Sequence, residues 1–242
     1  MPTKPLLKAL TEAVAGSRRR MADAIRKGMV EINGAIAEDF NHPVNIATDN
    51  ILINGQQADL KPRQVVCLML NKPRGILSTT SDSRGRQTVL NILPREYRHL
   101  RLYPAGRLDK DSTGLLLLTN DGKLTYQLTH PRFEHEKEYL VHIDAILTPE
   151  KKRKLEQGIK LDDGMTYPSV VKKVASLPSF NYSITIHEGR KRQVHRMFAH
   201  LGYRVLSLKR VRIGKLTLDN LKEGEIRQLS AQDIAVLFSN TA

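Results

Sequence analysis

The sequence has no tryptophan, one cysteine and only 5% aromatic residues. A single cysteine excludes an intrachain disulfide and any cysteine-based zinc site. Cys67 lies inside VVCLML, where it reads as a small core residue. No apolar run reaches the roughly 18 residues that a membrane-spanning helix needs. The opening stretch MPTKPLLKALTEAVAG lacks the long apolar segment and cleavage pattern of a secretory signal. These absences together set the expectation of a reducing, cytoplasmic setting. Acidic residues are scarce as well, with 25 Asp and Glu against 39 Lys and Arg, a formal net charge of +14. That excess favours a polyanion, either nucleic acid or an anionic membrane surface. The membrane option needs a basic amphipathic helix with bulky apolar anchors, which this composition does not supply. Nucleic acid is the better match.

What remains is ample for a folded protein. The 242 residues, 40% of them hydrophobic, can bury a core as one large domain or as a small and a medium one. Residues 1–60 read as a separate small module. Pro5 opens a helical stretch with Leu6, Leu10, Ala13 and Val14 on one face, ended by Gly16. Ser17 is placed to cap a second helix, RRRMADAIRK, which Gly28 stops. Two strand–turn signals follow, VEINGAI and ILINGQQ, each centred on Asn-Gly. Residues 4–27 carry seven Lys and Arg against Glu12 and Asp23, whereas residues 28–60 carry none. A solvated surface with no partner would mix the signs, so the basic helices point to contact with RNA or DNA.

Residues 61–64, Lys-Pro-Arg-Gln, read as a linker, and residues 65–242 as a second domain. Strand and helix signals alternate irregularly there: VVCLML, a helix near TVLNIL, LLLLT, a helix near GKLTYQLTH, EYLVHI, TPEKKRKLEQG, SVVKKV, NYSITIH, KRQVHRMFAHLG, YRVLSLKRVRIG and a last helix SAQDIAVLF. No glycine-rich nucleotide motif and no regular βα repeat occurs, so an α+β domain on a mixed or antiparallel sheet is expected.

Residues 106–122, GRLDKDSTGLLLLTNDG, set Arg107, Asp109, Lys110 and Asp111 directly before a four-leucine run. That run is too short for a globular helix and reads as a buried strand, which puts the charges at the mouth of a core element. An ordinary solvated turn before a strand would look the same. If Asp109 has chemistry, it can act as metal ligand, general base or nucleophile. A two-metal site needs several clustered carboxylates. Asp109 and Asp111 could pair, but Arg107 and Lys110 crowd them. One ionised aspartate held by a cation suits attack on an electrophilic carbon better, because burial raises a carboxyl pKa and a close guanidinium lowers it. Further on, KRQVHRMFAHL at helical spacing sets Val194, Met197, Phe198 and Leu201 on one stripe and Arg192, His195, Arg196 and Ala199 opposite. Residues 188–215 carry nine Lys and Arg against Glu188, and the alternation from Tyr203 to Arg212 suggests strands turning basic side chains toward RNA. The remaining histidines show no spacing that suits a metal, and no metal is expected.

The N-terminal pattern K-A-L-(x5)-G-S-R-R followed by G-x-V-x-I-N-G resembles the αL RNA-binding module of the S-four type, although Pro5, Thr11 and Val14 depart from its usual residues. The seventeen positions 106–122 resemble the signature of the pseudouridine synthases that modify ribosomal RNA. The likeness extends through Asn71–Gly75, Lys137–Val141, Glu188–Met197 and Leu208-(x4)-Ile213-Gly214.

The resemblance implies a pseudouridine synthase fold behind an RNA-binding module, and isomerisation of uridine to pseudouridine without cofactor. By the same resemblance Asp109 is the nucleophile, Tyr139 stacks on the base and moves a proton, and Arg196 is the basic partner of Asp109. His195 stands where such enzymes often have Lys or Arg. Arg18, Arg19, Lys72, Arg74, Arg107, Arg192 and Arg210 are the expected RNA contacts. The D-x-x-G-R-x-T-V run at residues 82–89, after N-K-P-x-G, resembles the branch acting on large-subunit rRNA. The expected partner is ribosomal RNA or an assembling ribosomal particle, with no membrane, and the chain is expected to act as a monomer. A non-catalytic rRNA assembly factor and a glycosidase using Asp109 with Asp111 are the alternatives.

Overall fold

Asn-Gly pairs shape the first part of the chain. In the computed structural model, which describes residues 3–13, 17–60, 64–175 and 179–239, the chain divides into two units, Met1–Val65 and Val66–Ala242. The first unit contains β1 (Lys4–Pro5), α1 (Leu6–Ala13), α2 (Arg18–Arg26), β2 (Val30–Ile32), β3 (Ala35–Ile36), β4 (Pro43–Val44), β5 (Ile51–Ile53) and β6 (Gln56–Gln57). In both hairpins the turn residues have positive φ, 51° and 86° at Asn33-Gly34 and 51° and 73° at Asn54-Gly55. That is the type I′ geometry that Asn-Gly adopts at little steric cost, and it joins β2 to β3 and β5 to β6 in a four-stranded sheet. Ser17 caps α2 by accepting from the Arg20 amide at 3.1 Å. Met21, Ala22, Ala24 and Ile25 of α2 join Leu6, Leu7 and Leu10 of α1 in one core, while Arg18, Arg19 and Arg20 stay exposed. Val14 and Gly16, read from the sequence as the end of α1, and Lys61–Arg63 of the expected linker lie outside the described residues.

The second unit is α+β. It contains β7 (Cys67–Lys72), β8 (Tyr103–Ala105), β9 (Thr113–Thr119), α3 (Gly122–Thr129), β10 (Lys137–Ile143), α4 (Pro149–Gln157), β11 (Lys160–Leu161), β12 (Gly164–Met165), β13 (Val170–Lys173), β14 (Tyr182–Ile186), α5 (Gln193–His200), β15 (Val205–Ile213), β16 (Leu216–Thr217), β17 (Ile226–Gln228) and α6 (Ala231–Phe238). One mixed sheet runs β13-β14-β10-β15-β9-β7-β17, with β8 on β9 and β16 on β15. Its pairs are antiparallel except β15 with β9. The four leucines of β9 are fully buried because both faces of the strand are covered: Leu116 and Leu118 enter one core, Leu115 and Leu117 the other. The residues around TVLNIL, expected to be helical, form consecutive turns instead. There the Asn91 side chain accepts from both the amide (2.8 Å) and the hydroxyl (2.9 Å) of Thr88, which competes with helical hydrogen bonding.

Candidate active site

The single parallel pairing of the sheet is where the site forms. Lys209 and Arg210 of β15 pair with Thr113 and Gly114 of β9. Gly114 has φ +101°, and a Cβ there would overlap the Arg210 backbone, so only glycine lets the two strands approach this closely. On the other side of β15, Arg210 pairs with Tyr139 of β10. The Arg210 side chain is 3% exposed; its Nε donates to Leu115 O at 2.7 Å and its Nη1 to Tyr139 Oη at 3.5 Å, with the guanidinium 6.0 Å from the Tyr139 ring centre.

Asp109 sits in the loop entering β9, and that loop is anchored on both flanks. Before Asp109, the Ser78 hydroxyl donates to Leu108 O (2.9 Å) and accepts from the Leu108 amide (3.1 Å). After it, the Gly75 amide donates to Lys110 O at 2.8 Å. Lys72 completes the anchor. Its side chain is fully buried, and Nζ donates to the carbonyls of Pro73 (2.9 Å), Lys110 (3.3 Å) and Ser112 (2.8 Å). Burial lowers the Lys72 pKa to about 8, with Asp111, Glu223 and Asp109 pulling it back up. Five of these hydrogen bonds thus fix the backbone on either side of one carboxylate.

Asp109, Tyr139 and Arg210 line one cleft of about 500 Å³, together with Arg107, Arg192, His195 and Lys137. That is room for a nucleoside-sized ligand. Lys137 follows from the two-residue period of β10, which puts it on the Tyr139 face; its Nζ donates to His135 O at 2.8 Å, and burial and then Arg210 push its pKa down to about 8. Four buried polar atoms in the cleft residues, Arg210 Nη2, His195 Nδ1, His135 Nε2 and Ser112 Oγ, have no hydrogen-bond partner among the described residues. Asp111 is exposed and does not line the cleft, although both it and Asp109 act on His195 and Lys72. Among the described residues no three His, Cys, Asp or Glu side chains gather to hold a metal.

Three residues sit differently from the sequence reading. Arg196, read as the partner of Asp109, donates from Nη2 to Asp163 at 2.8 Å and does not line the cleft. Successive side chains on α5 diverge by about 100°, and with the apolar stripe docked this turns Arg196 toward Asp163. His195 is the one that faces the cleft. Burial, followed by Arg192, lowers its pKa, while Asp109 and Asp111 raise it. Lys72 and Arg210, read as RNA contacts, are buried: the Lys72 ammonium donates to three carbonyls and the Arg210 Nε to Leu115 O, while Arg210 still lines the cleft with Nη2 unpartnered among the described residues. Arg107 and Arg192 are exposed at the cleft, and Arg74, Arg18 and Arg19 are exposed on their own surfaces. Arg212, the next basic residue on β15, is taken by Glu138 and Glu136, each at 2.9 Å. The apolar stripe of α5 is buried as its spacing implies. Ser78 and Asp163 carried no sequence signal, since a lone serine and a turn aspartate look like any others.

A family model described as RNA pseudouridylate synthase matches residues 66–200. Ribosomal large subunit pseudouridine synthase B of Bacillus subtilis (strain 168) is 38% identical over 232 residues, which is 95% of this chain and 93% of that protein. The uncharacterized RNA pseudouridine synthase YtzG of the same organism is 36% identical over 233 residues, 95% of this chain and 96% of that protein. A crystal structure of a pseudouridylate synthase superposes with a TM-score of 0.68 at 34% identity, over 97% of this chain and 99% of that one. With more than half of its length matched by the family model and nearly all of it by these relatives, the chain belongs to the RNA pseudouridine synthases, isomerases that act on RNA.

Proposed function

We propose that the protein converts a uridine of large-subunit ribosomal RNA to pseudouridine, with Asp109 as the nucleophile. The observation that carries this reading is the presentation of Asp109: an anchored carboxylate in a cleft shared with Tyr139 and Arg210. The target uridine must leave its stack to reach such a cleft, at a cost of a few kcal/mol. Tyr139 offers a ring for the base to stack on. The unpartnered polar atoms of Arg210, His195 and Ser112 suit the carbonyls and N–H of a uracil edge. Asp109 drives cleavage of the bond between N1 and the anomeric carbon, by direct attack or by assisting elimination. The freed uracil turns, its C5 bonds to the anomeric carbon as any bond from Asp109 to that carbon breaks, and the proton lost from C5 is matched by one gained at N1. Reactant and product are isomers, so no co-substrate is consumed.

The exposed arginines of α2, with Arg74, Arg107 and Arg192, hold RNA phosphates and position the target without choosing it. The choice of the large subunit is supported by the name of the Bacillus subtilis relative and by the residue 82–89 run. The enzyme acts as a monomer in the cytoplasm, on ribosomal RNA or an assembling particle. The test is to incubate unmodified large-subunit and small-subunit rRNA separately with the protein and to map pseudouridine in each. A new site confined to large-subunit rRNA is the expected result. A site only in small-subunit rRNA would overturn the assignment of substrate.

A further inference from the structure

At the rim of the cleft stands an aromatic ring that the chemistry above does not use. Tyr167 lines the cleft with Asp109 and Tyr139, yet it is 57% exposed. Among the described residues the other largely exposed aromatic is Tyr126, and Arg132 already lies over its ring at 5.0 Å. No ring or guanidinium covers Tyr167 among the described residues.

Its backbone, by contrast, is firmly held. The Tyr167 amide donates to Glu188 Oε1 at 3.0 Å, and the same carboxylate accepts from Arg190 Nε and Gln193 Nε2, each at 2.7 Å. Arg190 also donates to the carbonyls of Asp163 (3.2 Å) and Gly164 (2.9 Å), and Arg196 donates to the Asp163 carboxylate. The β11–β12 hairpin has only two paired residues on each strand, so these arginines are what fix the segment leading to Tyr167. Thr166, immediately before it, is buried and pairs with Ile159 through its amide (2.9 Å) and hydroxyl (2.8 Å). A rigid backbone with a free ring is the arrangement that loses least entropy when a flat partner stacks on it.

We propose that Tyr167 stacks on the base of a nucleotide flanking the target uridine, and so favours RNA in which that neighbour is unpaired. The proposal rests on the functional reading above. Tyr139 is inside the cleft and serves the target base, whereas Tyr167 is at its mouth, beside the cationic stretch Arg190–Arg192 that lines the same wall. Stacking on an aromatic tolerates any base because every base has a π face. The selection is therefore for an open structure more than for a sequence.

The test compares wild type, Tyr167→Ala and Tyr167→Phe on unmodified large-subunit rRNA, with binding measured at about 0.2 M salt, where backbone contacts are weakened. Tyr167→Ala is expected to raise Kd and KM roughly tenfold or more, with kcat at saturating RNA within about threefold. Tyr167→Phe keeps the ring and restores both constants to within about twofold of wild type. The salt slope of binding stays the same in all three, because no phosphate contact changes. Unchanged Kd and KM in Tyr167→Ala would overturn the proposal, as would equal damage in Tyr167→Phe. Absence of pseudouridine with the wild type would count against the functional reading, while the Kd comparison, which needs no turnover, would still decide the role of Tyr167.

Discussion

The exposed cations of the first unit and the buried or carboxylate-paired cations around the cleft of the second are placed for different work. On α2, Arg18, Arg19 and Arg20 stand in solvent, and the two acids nearby are already taken, Glu12 by Lys4 at 2.8 Å and Asp23 by Arg26 at 3.0 Å. Around the cleft, Lys72 and Arg210 are buried on backbone oxygens, and Arg190, Arg196 and Arg212 are held by carboxylates. The net charge counts all of these alike. Only the exposed set makes a field that a polyanion meets from outside, whereas the buried set fixes the backbone around Asp109 and the cleft wall. The lesson is that a basic sequence can hold both an exposed cationic surface and an internal scaffold, and that burial separates the two.

The comparison breaks most visibly at Lys72. Lys72→Ala leaves the carbonyls of Pro73, Lys110 and Ser112 without their shared donor and opens a cavity, for an expected loss of about 3 kcal/mol. Thermal unfolding should show a large fall in Tm. Turnover should drop with the loosened Asp109 loop, and the salt slope of RNA binding should stay as in wild type. A reduced salt slope with normal Tm would place Lys72 among the phosphate contacts after all.

The exposed set should behave in the opposite way. Replacing Arg18 and Arg19 together by Ala should change stability by no more than about 0.5 kcal/mol. The slope of log affinity against log salt should shrink by roughly two. An unchanged slope would remove α2 from the RNA interface.

The smallest effect concerns pH. Burial lowers the His195 pKa, so the folded protein takes up that proton less readily than the unfolded chain does. The stability His195 confers is complete above its ordinary value of 6.5 and is lost as pH falls through the lower folded value. Melts of wild type and His195→Gln below pH 6.5 should therefore converge as the pH drops, with His135, lowered chiefly by burial and then by Lys137, contributing a similar acid loss in both proteins. Parallel Tm curves over that range would show that His195 does not titrate differently in the folded state.

Much of this is legible in the sequence. The Asn-Gly hairpins, the Ser17 cap, the buried four-leucine strand and the apolar stripe of α5 are local, and local chemistry decides them. Asp109 stands out only through the resemblance of residues 106–122, because a charged turn before a core strand is by itself ordinary. The site's supports were not legible. Whether Lys72 reaches water or three carbonyls depends on a loop nearly 40 residues away, and period-two alternation in β15 sets the face of Arg210 without saying that the face is covered. His195 and Arg196 are adjacent, equally basic in appearance, and separated only by which way α5 is turned when its apolar stripe docks. The turns at residues 88–93 went unread because a side-chain acceptor, Asn91, outcompeted the helical pattern.

The central claim is that the anchored carboxylate performs the chemistry while other residues hold the RNA. Asp109→Asn keeps the shape of the side chain and removes its charge, so it isolates that claim. Pseudouridine formation in unmodified large-subunit rRNA and Kd for the same RNA should be measured side by side for wild type and Asp109→Asn. The account predicts that the variant forms no pseudouridine and binds within about twofold of wild type. Substantial pseudouridine from Asp109→Asn, or loss of binding in step with loss of activity, would contradict it.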